Sequence, residues 1–142
     1  ACAVAGSSDR VYVLDSGKSP GKAVLYVYKQ DESSTPSATL LKRVKLPSMN
    51  GSATAHCSLA VLGAWVYAGH DESPSYARVH LTDYSVQSGS TCGDPTTAIT
   101  ASNEAVVVSM GNCFGLFDKQ GNAFESGGQF SDTIVPGSKG HA

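Results

Sequence analysis

Apolar residues along this chain fall in short runs, some alternating with polar residues and some continuous, each cut off by Gly, Pro, Ser, Asn or Asp. That is the pattern of half-buried and buried β-strands. The runs also recur. Cys2-Ala3-Val4-Ala5 followed by Arg10-Val11-Tyr12-Val13 is echoed at an offset of 55 by Cys57-Ser58-Leu59-Ala60 and Trp65-Val66-Tyr67-Ala68. A third copy, Thr97-Ala98-Ile99-Thr100 with Ala105-Val106-Val107-Val108, follows the second at an offset of 40. The segments between paired runs, Gly6-Ser7-Ser8-Asp9, Leu62-Gly63 and Ala101-Ser102-Asn103-Glu104, have the length and chemistry of hairpin turns. Each copy therefore predicts an antiparallel pair of strands.

A third strand is predicted in each copy, over Ala23 to Tyr28, Ala77 to Thr82 and Cys113 to Phe117. By alternation Ala23, Leu25 and Val27 share a face, as do Ala77, Val79 and Leu81. The last of these strands runs into Asp118-Lys119-Gln120-Gly121-Asn122, a turn sequence. A fourth strand is predicted over Thr39 to Leu46, with Lys42 and Lys45 suited to a solvated edge, and poorer counterparts over Val86 to Ser90 and Ala123 to Phe130. No window has useful helical periodicity, so the fold class is all-β. A four-strand unit recurring every ~40–50 residues resembles a blade of the β-propeller superfold. The resemblance covers nearly all the chain and is generic, with neither the Gly-His to Trp-Asp signature of WD40 repeats nor the kelch double glycine. It implies three tandem blades within one domain, residues 1–50, 51–92 and 93–142, forming a partial propeller. A β-sandwich with internal duplication is the alternative architecture.

Propellers close with ~4–8 blades, so three leave both end blades uncovered. An uncovered blade exposes apolar surface, so the resemblance implies that the ends are covered by a second copy, by another chain, or by more of the same polypeptide. Residues 132–137, Asp132-Thr133-Ile134-Val135-Pro136-Gly137, read as a further inner strand and turn, in line with continuation or strand exchange.

Composition narrows the setting. Charged residues are 15% of the 142 positions, below the ~25% usual for soluble proteins, so the surface relies on Ser, Thr, Gly and Asn. A net charge of −2 gives no electrostatic footprint for nucleic acid or an anionic membrane. No apolar run reaches the ~18 residues that would cross a bilayer as a helix. The chain opens at Ala1 without a basic, apolar leader, as a processed or excised product would. Four cysteines, Cys2, Cys57, Cys92 and Cys113, lack Cys-x-x-Cys spacing, which argues for two disulfides over a zinc site. The strand order favours Cys92 with Cys113 and leaves Cys2 with Cys57 to staple neighbouring units. Asn50-Gly51-Ser52 is an N-glycosylation acceptor sequence. Together these features point to a secreted or cell-surface protein.

The candidate chemistry is sparse. His56, His70 and His80 fall in the second copy with Asp71, Glu72 and Asp83, but their spacing matches no metal or acid–base motif, so no catalytic or metal residue and no cofactor is assigned. Asp31-Glu32-Ser33 and Asp71-Glu72-Ser73 lack the spacing of a calcium loop. No Gly-x-Ser-x-Gly elbow is present, and Ser109-Met110-Gly111 reads as a turn. Trp65, at a position occupied by Arg10 and Ala105 in the other copies, is read as facing away from the repeat core; with Tyr76, Asp71 and Glu72 it is the candidate ligand platform, of the kind that holds a sugar. The more economical reading of Trp65 is a contact between blades. These residues point first to a non-catalytic extracellular interaction or structural module that assembles with itself or another protein chain. A carbohydrate-binding lectin, with glycans as partner, and a fragment of a propeller enzyme are the alternatives.

Overall fold

The computed structural model describes residues 1–17, 21–31, 35, 37–73, 75–90, 95–96, 98–111, 113–124 and 134–136. Strands β1 (Ala3–Ser7), β2 (Arg10–Asp15), β3 (Lys22–Asp31) and β4 (Ser37–Asn50) form a first sheet. The second is β5 (Cys57–Leu62), β6 (Trp65–His70), β7 (Ser75–His80) and β8 (Val86–Ser90). The third is β9 (Ala98–Ala101), β10 (Val106–Met110), β11 (Cys113–Phe117) and β12 (Ile134–Pro136). Every sheet is a four-stranded antiparallel meander in chain order, and the described residues contain no helix. The protein is all-β.

Local sequence explains the hairpins. Ser7 pairs with Arg10 and Leu62 with Trp65, so Ser8-Asp9 and Gly63-Ala64 are two-residue turns. Gly63 has φ +61°, and a Cβ there would lie 2.1 Å from the carbonyl oxygen of Lys119, so backbone conformation and the approach of the third sheet both demand glycine. In the third sheet Ala101 pairs with Val106 across a longer loop, closed by the Ser102 N–H on the Ala105 carbonyl.

The second sheet is the middle layer. Val66, Ala68, Ala77 and Val79 pack on Tyr12, Leu14, Leu25 and Val27 of the first sheet. From the opposite face, Leu62, Trp65, Tyr67 and Tyr76 pack on Val106, Val108, Met110 and Phe117 of the third. Covering on both sides is why every residue of Trp65–His70 is buried, while burial alternates along Arg10–Asp15. The first strands of successive sheets lie beside one another, β1 by β5 and β5 by β9. Between the first two, Cys2 and Cys57 form a disulfide with Cα atoms 5.4 Å apart. Cys92 lies outside the described residues, as does the Cys113 side chain, and with them the second expected bridge.

Four local expectations are corrected. Ile134–Pro136 is no inner strand of a further unit: it is the fourth strand of the third sheet, pairing Phe114 with Val135 along an edge of β11 that β10 cannot satisfy. The strand expected over Ala123 to Phe130 reduces, among described residues, to one bridge from Ala123 to Phe117. β7 ends at His80, two residues before Thr82, because Asp83 accepts the Ser85 N–H and His80 donates its own N–H to the Ser85 carbonyl, turning the chain early. Ser109 and Met110 belong to β10, with Met110 fully buried.

Candidate functional site

The seam between the second and third sheets is built around Arg78. Its position in β7 places the side chain beside Tyr67, on the face toward the third sheet. The guanidinium donates through Nε to Gln87 Oε1 at 2.9 Å, and through Nη1 to the Gly121 carbonyl at 2.6 Å and to the Tyr67 hydroxyl at 3.2 Å. It lies 4.1 Å from the Trp65 ring centroid, a cation–π distance. The indole Nε1 donates to the Gln120 carbonyl at 3.2 Å. The 118–122 turn is thus read twice from the second sheet. Gly121, at φ +86°, makes room: a Cβ would sit 2.5 Å from Trp65 Nε1. Burial pushes the Tyr67 hydroxyl above its usual pKa, with Arg78 pulling the other way.

This packing makes Trp65 a contact between the second and third sheets, the more economical of its two expected readings, and takes it and Tyr76 out of an exposed ligand platform. Trp65 is 8% exposed and Tyr76 0%, so both rings lie within the layers, and Trp65 faces the third sheet instead of pointing away from the core. Moreover Trp65 opens β6 while Asp71 follows its other end, so the four residues do not converge. The position of Trp65 varies between copies, with Arg10 and Ala105 in its place, because among the described residues the middle sheet alone is covered on both faces and needs a large ring there. Arg78 was missed. Its signal was a lone arginine between Ala77 and Val79.

At the other end of β6 the first two sheets are joined by polar side chains. His70 is fully buried: Nε2 donates to the Asn50 carbonyl at 2.7 Å, and Nδ1 accepts the Glu72 N–H at 3.1 Å. The Glu72 carboxylate accepts Ser52 Oγ at 2.7 Å and Thr54 Oγ1 at 2.9 Å. Asn50 ends β4 with its side chain exposed, its Oδ1 accepting Lys22 Nζ at 3.0 Å. Close by, a cavity of about 610 Å3 is lined by Cys2, Asp15, Ser16, His56 and Cys57 among others. Asp71 holds His56 at two points, accepting its backbone N–H at 2.8 Å and its Nδ1 at 3.0 Å. The backbone bond chiefly holds the Asp71 carboxyl below the usual carboxylate range. His80 stands apart, its ring edge-on to Trp65 with centroids 4.7 Å apart. The three histidines do not meet, and among the described residues no three His, Cys, Asp or Glu side chains gather as a metal set. Glu32 and Ser33 lie outside the described residues.

No family model matches the chain, and no curated protein matches it.

Two broad surfaces complete the picture. On the face of the first sheet turned from the second, Val4, Val13, Tyr26 and Arg43 form one cross-strand row, with the Arg43 guanidinium carbon 5.3 Å from the centroid of the Tyr26 ring. Val4 there is 65% exposed. On the face of the third sheet turned from the second, Thr100, Val107 and Leu116 form a row beside Ala98, Ser109 and Phe114, and Val107 is 36% exposed. No described residue covers either flank.

Proposed function

We propose that the chain is a non-catalytic interaction or structural module of the propeller kind, acting in an oxidising, extracellular setting and joining further sheets through its two open flanks. The observation that carries this reading is the pair of apolar flanks, uncovered by any described residue, on a three-layer stack whose inner interfaces are of the same construction. Sheet faces bearing Val, Tyr, Leu and Phe are normally covered, and a large exposed apolar patch on a folded chain marks an interaction site. The neighbouring first strands support a propeller over a sandwich, since blades set about an axis bring their first strands together. The Cys2–Cys57 disulfide is consistent with secretion, and no described helix is long and apolar enough to span a membrane.

The test is the solution mass of the 142-residue chain over a concentration series, with binding of a hydrophobic dye as companion. Either self-assembly or dye binding at the flanks supports the reading. A monomer that takes up no dye refutes it.

A further inference from the structure

The two flanks differ in kind, and the internal repeat says how. Val11, Val66 and Val106 are equivalent positions in the second strands of the three sheets, and so are Tyr12, Tyr67 and Val107. In the second and third sheets the first set faces the preceding sheet: Val66 packs against the first sheet and Val106 against the second. In the first and second sheets the other set faces the following sheet: Tyr12 packs on the second and Tyr67 on the third. Each interface therefore joins a forward face to a backward face. Among the described residues, what stays uncovered is one of each, the backward face of the first sheet with Val11 and Val13, and the forward face of the third with Val107 and Leu116.

Charge runs the same way. Residues 1–50 hold seven Lys and Arg against four Asp and Glu, whereas residues 93–142 hold two against five. Arg43 shares its cross-strand row with Val4, Val13 and Tyr26 on the backward flank, and the next row sets Lys45 and Val24 beside Asp15, so the unpaired positive charge of that face is Arg43's.

Resting on the module reading above, we infer that the partner of each flank is the opposite flank of a second copy of this chain, mated head to tail in the geometry of the two internal interfaces. Such a contact is heterologous, so it closes only as a ring. Two copies supply six sheets, within the ~4–8 that propellers use. Like faces, by contrast, repeat no interface found in the chain, and backward on backward would juxtapose the Arg43 rows of two copies.

The experiment blocks one flank at a time. Val4→Glu blocks the backward flank and Val107→Glu the forward flank, both at sites exposed enough to leave the fold intact, as unfolding midpoints will verify. Tyr26→Glu and Thr100→Glu are the second pair should either lose its fold. Sedimentation should give twice the chain mass for the wild type and one chain mass for each variant alone. An equimolar mixture of Val4→Glu and Val107→Glu should recover a one-to-one dimer, because one unblocked pair of flanks remains. Its dissociation constant should be at least about 100-fold weaker than the wild type's, since the ring-closing contact is lost. If Val107→Glu still dimerises alone while Val4→Glu does not, the contact joins like faces and the inference falls, though the module reading survives. A wild-type monomer that binds dye, and loses it in the doubly blocked variant, likewise overturns the inference alone. A monomer without dye binding overturns both.

Discussion

Arg78 shows how one charged side chain can hold two sheets together without opening the interior to water. Its guanidinium donates to Gln87, Tyr67 and the Gly121 carbonyl and rests on the Trp65 ring, so removing it leaves a buried hydroxyl and a buried carbonyl short of a donor. Arg78→Met, which keeps the length and loses the donors, is expected to lower stability by about 3 kcal/mol in urea unfolding. If the loss is instead below about 0.5 kcal/mol, the contacts are incidental. Tyr67 adds a pH signature of known sign. Its folded pKa lies above the usual value of 10.0 because burial disfavours the phenolate. The stabilisation is complete below pH 10 and is lost as pH rises through the folded pKa. Tyr67→Phe should flatten the alkaline limb of a stability profile, while the wild type loses stability above about pH 10. Asp71 works in the opposite sense. With its pKa held below the usual 3.8, its stabilisation is present above that value and fades as pH falls through the lowered one.

Single elements show why some of this architecture is legible in sequence and some is not. The strands that alternate, or that repeat at offsets of 55 and 40, could be read because burial on one face imposes a period of two and the same layer recurs. β12 was misread because three residues, Ile134-Val135-Pro136, carry no period; only pairing with Cys113, Phe114 and Gly115 defines them. The predicted strand over Thr39 to Leu46 stops short of β4, which runs from Ser37 to Asn50, because Pro47 interrupts the apolar pattern ahead of the buried Met49 and the register with β3 shifts there. Contacts between elements were harder still. That Asn50 meets His70, or Ser52 meets Glu72, depends on how two sheets lie against each other, which no periodicity encodes. The Cys2–Cys57 disulfide was legible because the two cysteines occupy equivalent places in adjacent units. It closes a loop of 55 residues, so a Cys2→Ser, Cys57→Ser pair should lower stability by about 4 kcal/mol on the chain-entropy account. A change under about 1 kcal/mol would mean that the polar junction around His70 already fixes the first two sheets.

At the scale of the whole molecule, layers of one design are stacked in register, and the stack carries its own polarity: a basic, backward-facing start and an acidic, forward-facing end. That polarity should divide the kinetics of assembly into two parts. Long-range attraction between ends of opposite charge acts while the copies approach, and salt screens it over a Debye length of about 10 Å at 0.1 M and about 3 Å at 1 M. Once the flanks have met, Val4, Val13 and Tyr26 on one side and Val107, Leu116 and Phe114 on the other are withdrawn from water, an apolar contribution that salt does not weaken. Raising sodium chloride from about 0.05 M to about 0.5 M should therefore slow association several-fold and leave dissociation nearly unchanged, as measured by stopped-flow mixing and by dilution of the preformed dimer. Dissociation that accelerates in step with salt would show that the contact is held by ion pairs and not by the apolar rows. Association insensitive to salt would show that the charge asymmetry between the ends plays no part in bringing the copies together.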